Sequence, residues 1–223
     1  MTTTAATILS GIPLFAGLPA EELATLGGAL RRRACRAGEV IFRQDDPGTS
    51  LYVIESGVVK IQRTSPDGRQ VILAILWAGD FFGELALLDG EPRSADAVAK
   101  DDCALLVLDR GDFLRFIERY PLAATRLLAA LSRRLRRTDQ LVQDAAFLDV
   151  SARLARVFLT LTEGTASDAK PAALTQSELA AMVGATRESV NRWLRDFQRR
   201  GLVEYQGGAV RVLERDELRK QVF

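Results

Sequence analysis

Histidine is absent from all 223 residues. That removes the commonest general base, the commonest zinc ligand and the usual proximal ligand of haem, so enzymatic and haem-based functions recede together. Cysteine occurs only at positions 35 and 103. Two thiols cannot build a disulfide framework or a four-thiolate zinc or iron–sulfur site within one chain, and Cys35 and Cys103 are expected to be buried and reduced. No run of eighteen uncharged apolar residues occurs, and the opening MTTTAATILSGIPLF has no basic stretch leading into a long apolar one. A cytoplasmic protein without a membrane partner is expected. Neither sign of charge dominates: the net charge is +1, with 48% apolar and 26% charged residues, ordinary for a soluble globular chain. Residues 150–223 hold twelve Lys and Arg against nine Asp and Glu, whereas residues 1–149 hold eighteen against twenty, so the small basic surplus is C-terminal. No nucleophile, base and orienting group stand at recognisable spacing, so neither a catalytic residue nor a catalytic cofactor is expected.

From about Ala37 to Leu108 the chain is built of short β-branched and apolar runs, SLYVI, VVKI and VILAIL, separated by ESG, SPDG and AGD. Ser65, Pro66, Asp67 and Gly68 suit a tight turn. A barrel or roll of hairpins is expected, preceded by a short helix in LPAEELATLGGAL. Beyond Pro121 the pattern becomes helical, with Leu128, Leu131, Leu135, Thr138, Val142 and Ala145 at alternating spacings of three and four. A helix over 121–147 would be roughly 40 Å long at 1.5 Å per residue, too long for one small β domain to cover. A second copy of the helix would cover it, which makes Leu128, Leu131, Leu135 and Val142 a dimer seam. Thr138 and Asp139 are polar beside that seam and need partners: they either set register or meet a ligand.

After the break at FLDV come the helix SARLARVFLTL, a loop EGTASDAKPAA, and a stretch in which Thr175 and Glu178 have capping-box spacing. Gly184 should end that helix, and GATRESVNRWLRDF carries the next. At about 100° per residue, Arg187, Glu188, Asn191, Arg192 and Arg195 fall within about 140° of arc, opposite Val190, Trp193, Leu194 and Phe197. A solvated helix would divide the same way. Here a three-residue turn joins it to the preceding helix, and GLVEYQGGAVRVL reads as a two-stranded wing, so the pair has helix-turn-helix dimensions. Arg187, Glu188 and Arg192 would reach base edges, because arginine meets guanine O6 and N7 with two donors and glutamate accepts from cytosine. Thr175, Gln176, Ser177 and Thr186 lie at helix starts, where hydroxyls and backbone N–H groups grip phosphates.

Three fragments, GDFFGELALLDGEPRSA, RRLRRTDQLVQDAAFLDVSARLA and ATRESVNRWL, in this order and across essentially the whole chain, resemble the bacterial CRP/FNR family of transcription regulators, most closely its cAMP-responsive members. The resemblance implies an α+β chain: a jelly-roll-like β-roll effector domain (1–118), a dimerisation helix (119–148) and a C-terminal winged helix-turn-helix (149–223). It implies a homodimer that binds a cyclic nucleotide, then a palindromic operator with TGTGA-like half-sites in double-stranded DNA, and recruits RNA polymerase. By the same resemblance Glu84 takes a ribose hydroxyl, Arg93 and Ser94 hold the cyclic phosphate, and Thr138 contacts adenine; backbone groups near Gly83 and Leu85 could complete the phosphate cradle, with Leu73 and Leu76 lining the pocket and Arg134 near the phosphate. Asp139 departs from the family pattern, which has a serine there. A carboxylate accepts from the adenine amino group and repels a carbonyl edge, favouring cAMP over cGMP. The N-terminal cysteine cluster of the oxygen sensors and the haem-binding histidine of the carbon monoxide sensors have no counterpart here. Ligand-independent relatives, relatives with other effectors, and a nucleotide-sensing module that docks on protein remain alternatives. The run RRRACR at 31–36 is expected to be solvated surface.

Overall fold

The computed structural model describes residues 5–162 and 173–222; the loop expected after Leu161 lies almost wholly outside them. The chain divides into two units, one of residues up to Arg63 with Leu73–Leu135, the other of Thr64–Ile72 with residues from Arg136 onward.

Helices α1 (Ala5–Ser10) and α2 (Ala20–Ala29) precede eight strands, which belong to the first unit apart from Thr64 and Gln70–Ile72: β1 (Arg31–Cys35), β2 (Val40–Phe42), β3 (Ser50–Ser56), β4 (Val59–Thr64), β5 (Gln70–Leu76), β6 (Phe81–Phe82), β7 (Asp96–Ala99) and β8 (Cys103–Asp109). A short helix α3 (Leu85–Leu88) interrupts them and α4 (Arg110–Arg119) follows. The strands form two sheets, ordered β1-β8-β3-β6 and β2-β7-β4-β5. Strand β3 explains why its sequence is continuously apolar. Successive residues of a strand face opposite sides, and here both sides are covered. Leu51 and Val53 join Leu106 and Leu108 of β8 in a core beneath α1, α2 and α4, while Tyr52 and Ile54 join Leu105 and Val107 in the core that includes residues of the other sheet.

Helix α4 buries Phe113 and Phe116 in the first of these cores. Both α3 and α4, and strand β1, fall where the sequence suggested hairpins, loop or plain solvated surface. In β1 the arginines of RRRAC are largely turned outward, with Arg32 and Arg33 paired to Glu55 and Glu39, but their backbone is an edge strand on β8. The expected turn forms, Gly68 N–H donating to the Ser65 carbonyl at 2.8 Å with Gly68 at φ 82°.

Helix α5 (Pro121–Phe147) runs the length anticipated. Ala123 and Leu127 are buried in the helical core and Leu131 packs against it, so Leu131 serves its own chain rather than the exposed face. Leu128, Leu135 and Val142, seven residues apart, are 64%, 62% and 64% exposed. No helix among the described residues is long and apolar enough to cross a membrane.

The second unit continues with α6 (Val150–Leu161), α7 (Gln176–Val183), α8 (Arg187–Arg199), a hairpin of β9 (Val203–Gln206) and β10 (Ala209–Val212), and α9 (Arg215–Arg219). Leu154, Ala155, Phe158, Leu179, Val190, Leu194 and Phe197 supply its buried apolar surface. The short link between α5 and α6 is fixed by two carboxylates. Asp144, buried near the end of α5, accepts from Gln140 and lies 3.0 Å from Arg156 of α6. Asp149 caps α6, accepting from the Ala152 N–H at 2.9 Å and the Ser151 hydroxyl at 2.7 Å.

Those two donors, the Ala152 N–H first, hold the Asp149 carboxyl below its usual range. Its contribution is therefore full above the unfolded carboxyl value of about 3.9 and is lost as pH falls through the lower folded value. Replacing Asp149 by Ala should cost about 1 kcal/mol at pH 7, and the gap from the parent should narrow at pH 3, measured by urea unfolding of both proteins.

Candidate functional site

Within the first unit, β6 ends at Phe82 and the chain turns through Gly83 and Glu84 into α3. Gly83 has φ 83°, and a Cβ there would lie 2.6 Å from Arg93 Nη1, so both backbone and space require glycine. Arg93 is 3% exposed. Its Nη1 donates to the Gly83 carbonyl at 2.7 Å and its Nη2 to the Ser50 carbonyl at 2.8 Å, while the guanidinium carbon lies 4.2 Å from the Phe42 ring centre. The backbone of Arg93 is pinned as well: its N–H donates to Asp46 and its carbonyl accepts from Asp45, which sits at φ 66°. Burial lowers the Arg93 pKa, as removal from water must for a cation.

Glu84 is 2% exposed, and one carboxylate oxygen accepts from Arg134 Nη1 at 2.5 Å. Arg134 also donates to the Phe81 carbonyl and lies 4.6 Å over the Phe81 ring. Two buried polar atoms are left over: Arg93 Nε has no hydrogen-bond partner and neither does Glu84 Oε2. Arg93 forms no ion pair among the described residues. A buried guanidinium with a spare N–H, near a buried carboxylate with a spare acceptor, is matched by a small anion carrying a neighbouring hydroxyl.

Around this pair, Ser94 is exposed, Leu73 and Leu85 are 37% and 43% exposed, and Leu76 is buried in the core it shares with Tyr52. Gly83, Glu84, Arg93 and Arg134 are thus gathered in one unit. Thr138 and Asp139 are exposed on the part of α5 assigned to the other. Arg134, expected near a phosphate, has Glu84 and Phe81 among its partners.

In the second unit, Thr175 caps α7 in a full capping box with Glu178, and Gly184 ends the helix at φ 61°. Thr186 caps α8 by accepting from the Ser189 N–H at 3.2 Å. Val190, Leu194 and Phe197 anchor α8, leaving Arg187, Glu188, Arg192 and Arg195 exposed and Asn191 half-buried. Trp193, expected in the core, is only half-buried, with the Arg192 guanidinium 5.6 Å from its ring centre. Farther along α8, Arg199 and Arg200 both pair with Asp196, whereas Arg187, Arg192 and Arg195 make no ion pair among the described residues. The unpaired cations are the ones nearer the N-terminus of the helix. The Glu188 carboxyl sits below its usual range because the backbone N–H at the helix start donates to it, with the Thr186 hydroxyl adding to the effect.

The hairpin β9–β10 turns at Gly207 and Gly208 and is tied down by Tyr205, whose hydroxyl donates to the Leu174 carbonyl at 2.8 Å. Thr175, Gln176, Ser177 and Arg187 face the hairpin tip across a cleft of about 490 Å³. A second groove of about 580 Å³ runs along Glu188, Asn191, Arg192 and Arg195. Free N–H groups at the start of α7, a cation and two glycines around one cleft suit a phosphate backbone. The sequence had pointed to the helix starts but not to Tyr205, Gly207 and Gly208, since a hairpin's distance from α7 is set by the tertiary fold.

Residues 32–120 match the family model of the cyclic nucleotide-binding domain, and residues 152–221 match that of the Crp-like helix-turn-helix domain. The chain is 39% identical to the cyclic AMP receptor protein of Thermus thermophilus, over 96% of this chain and 99% of that protein. It is 35% identical to the CRP-like cAMP-activated global transcriptional regulator of Mycobacterium tuberculosis, over 96% and 98%. Among solved structures, that of the c-di-GMP responsive global regulator CLP of Xanthomonas campestris superposes with a TM-score of 0.73 at 27% identity, covering 87% of this chain and 99% of the other.

Replacing Gly83 by Ala should push the Arg93 guanidinium off the Gly83 and Ser50 carbonyls and strain the backbone. A loss of about 2 kcal/mol in urea-unfolding stability is expected.

Proposed function

Because this chain belongs to the CRP-like family of transcription regulators, we propose that it is a homodimer that binds cyclic AMP and, in response, binds palindromic operator DNA. The reading is carried above all by the buried, incompletely partnered pair of Arg93 and Glu84. A cyclic phosphate supplies the anion that Arg93 lacks, and the ribose hydroxyl next to it donates to the free oxygen of Glu84. Arg134, already on Glu84, holds that carboxylate in place. Two relatives carry cyclic AMP in their names, which favours it as ligand, and a solved neighbour is named for c-di-GMP, which makes that nucleotide the competing effector.

Residues 1–118 act as the effector domain, 119–148 as the dimerisation helix and 149–223 as the DNA-binding domain. The exposed stripe of Leu128, Leu135 and Val142 supports the dimer, since apolar side chains at heptad spacing on a long helix are covered by a second helix. Thr138 and Asp139, exposed within one chain, then meet the adenine edge at that interface. Ligand binding shifts the population toward dimers whose recognition helices stand one DNA turn apart, and each 1.4 kcal/mol of differential affinity moves that balance about tenfold. Arg187, Glu188 and Arg192 read a TGTGA-like half-site from the major groove; Thr175, Gln176, Ser177 and Thr186 hold phosphates; RNA polymerase is the partner recruited. The family regulates transcription.

Fluorescence anisotropy with a labelled TGTGA-type palindrome, without ligand and with cAMP, cGMP or cyclic di-GMP, at two salt concentrations, tests this. Tight, salt-sensitive binding with cAMP alone is expected. Equal binding without nucleotide would remove the switch and keep the DNA reader; salt-insensitive or absent binding would favour a module that docks on protein. Replacing Glu188 by Ala should relax preference at one base pair per half-site by about 1–3 kcal/mol, read by binding-site selection, and an unchanged preference would remove Glu188 from base reading.

A further inference from the structure

The two cysteines of this chain, far apart in sequence, stand directly opposite each other in the β1–β8 register, Cys35 against Cys103. Residues paired across antiparallel strands project to the same face, with Cα atoms about 4.5–5.5 Å apart. That interval lies inside the range of about 4.4–6.8 Å that a disulfide bridges without moving the backbone. Both side chains are 3% exposed and belong to the same apolar cluster. The negative charge of one thiolate disfavours that of the other, as neighbours require. Both are free thiols in the structure.

We propose that Cys35 and Cys103 are a cross-strand redox pair that a low-molecular-weight disulfide oxidises to an intramolecular disulfide linking β1 to β8. Their positions assign the order of events. Strand β1 is at the edge of its sheet and Cys35 is its last residue, next to the exposed turn at Arg36 and Ala37. Cys103 begins β8, which lies between β1 and β3, and its thiol donates to the Val58 and Asp101 carbonyls. The end of β1 lifts first, as strand ends do. The Cys35 thiolate then attacks one sulfur of the small disulfide, whose S–S bond breaks and expels one thiolate. The Cys103 thiolate attacks the Cys35 sulfur of the mixed disulfide and expels the second. Two electrons pass from the cysteine pair to the small disulfide, and its two thiolates take up the two protons lost.

Burial pushes the Cys103 thiol up to about 11 and raises that of Cys35, so the pair reacts slowly and ignores brief exposure to oxidant. The bond closes a covalent ring around the segment that carries Leu73, Gly83, Glu84, Leu85, Arg93 and Ser94. It therefore braces the pocket walls without adding a group to the pocket.

The folded full-length chain, incubated with oxidised glutathione, is denatured under non-reducing conditions and its intact mass measured after maleimide treatment. The expected product is one chain lighter by two hydrogens, with neither thiol labelled until dithiothreitol is added, and with a raised thermal-unfolding midpoint that dithiothreitol reverses. Cys35→Ser and Cys103→Ser should each retain one labelled thiol or a glutathione adduct and show no such rise. Two labelled thiols in the oxidised parent, a persistent glutathione adduct on it, a link only between chains, or a link that forms only after unfolding in guanidinium would each overturn the pair.

Discussion

The first unit is organised around a buried cation. Taking the Arg93 guanidinium out of water is costly, and the chain offsets that cost with two carbonyls, an aromatic face and a loop that clamps the arginine's own backbone, but with no ion pair among the described residues. Much of the local architecture follows from it. Gly83 must be glycine because the guanidinium occupies the space of its Cβ, and Asp45 takes a left-handed conformation in the loop that holds the Arg93 backbone. Glu84 is buried nearby with a second arginine on one of its oxygens. Such an arrangement is poor at maximising stability and suited to receiving an anion, since the ligand completes electrostatics that the protein leaves unfinished.

Much of the architecture was legible because burial leaves periodicity behind. The long helix was readable from spacings of three and four, and the helix-turn-helix from its capping box and Gly184. Strand β1 was hidden because successive arginines at an edge erase the alternation that marks a half-buried strand. Helix α3 was too short to show a period, and α4 carried one in Phe113 and Phe116 that the adjacent charges obscured. The neighbouring of Cys35 and Cys103 was invisible for a different reason: register between strands distant in sequence is a property of the sheet, not of either segment.

The candidate pocket divides along the same line. Glycine, glutamate and arginine could be found from a motif, but their environment could not: the Ser50 carbonyl that receives Arg93, the Phe42 ring beneath it, and the salt bridge from Arg134 to Glu84 all come from elements far apart in the chain. Leu131 shows the limit of periodicity most plainly. It keeps step with Leu128 and Leu135, yet it packs against the core of its own chain, because a helix with apolar residues on two adjoining faces gives no sign of which one is already covered.

Helix α8 separates two demands that often compete. Its hold on the domain rests on Val190, Leu194 and Phe197, while Arg187, Glu188, Arg192 and Arg195 stand exposed and contribute little to that hold. Substitutions on the exposed face therefore cost the fold little, and those on the anchored face cost it much. With the exposed face reading DNA as proposed, a gene duplicate of this chain could drift to a new operator sequence one side chain at a time and remain folded at every intermediate.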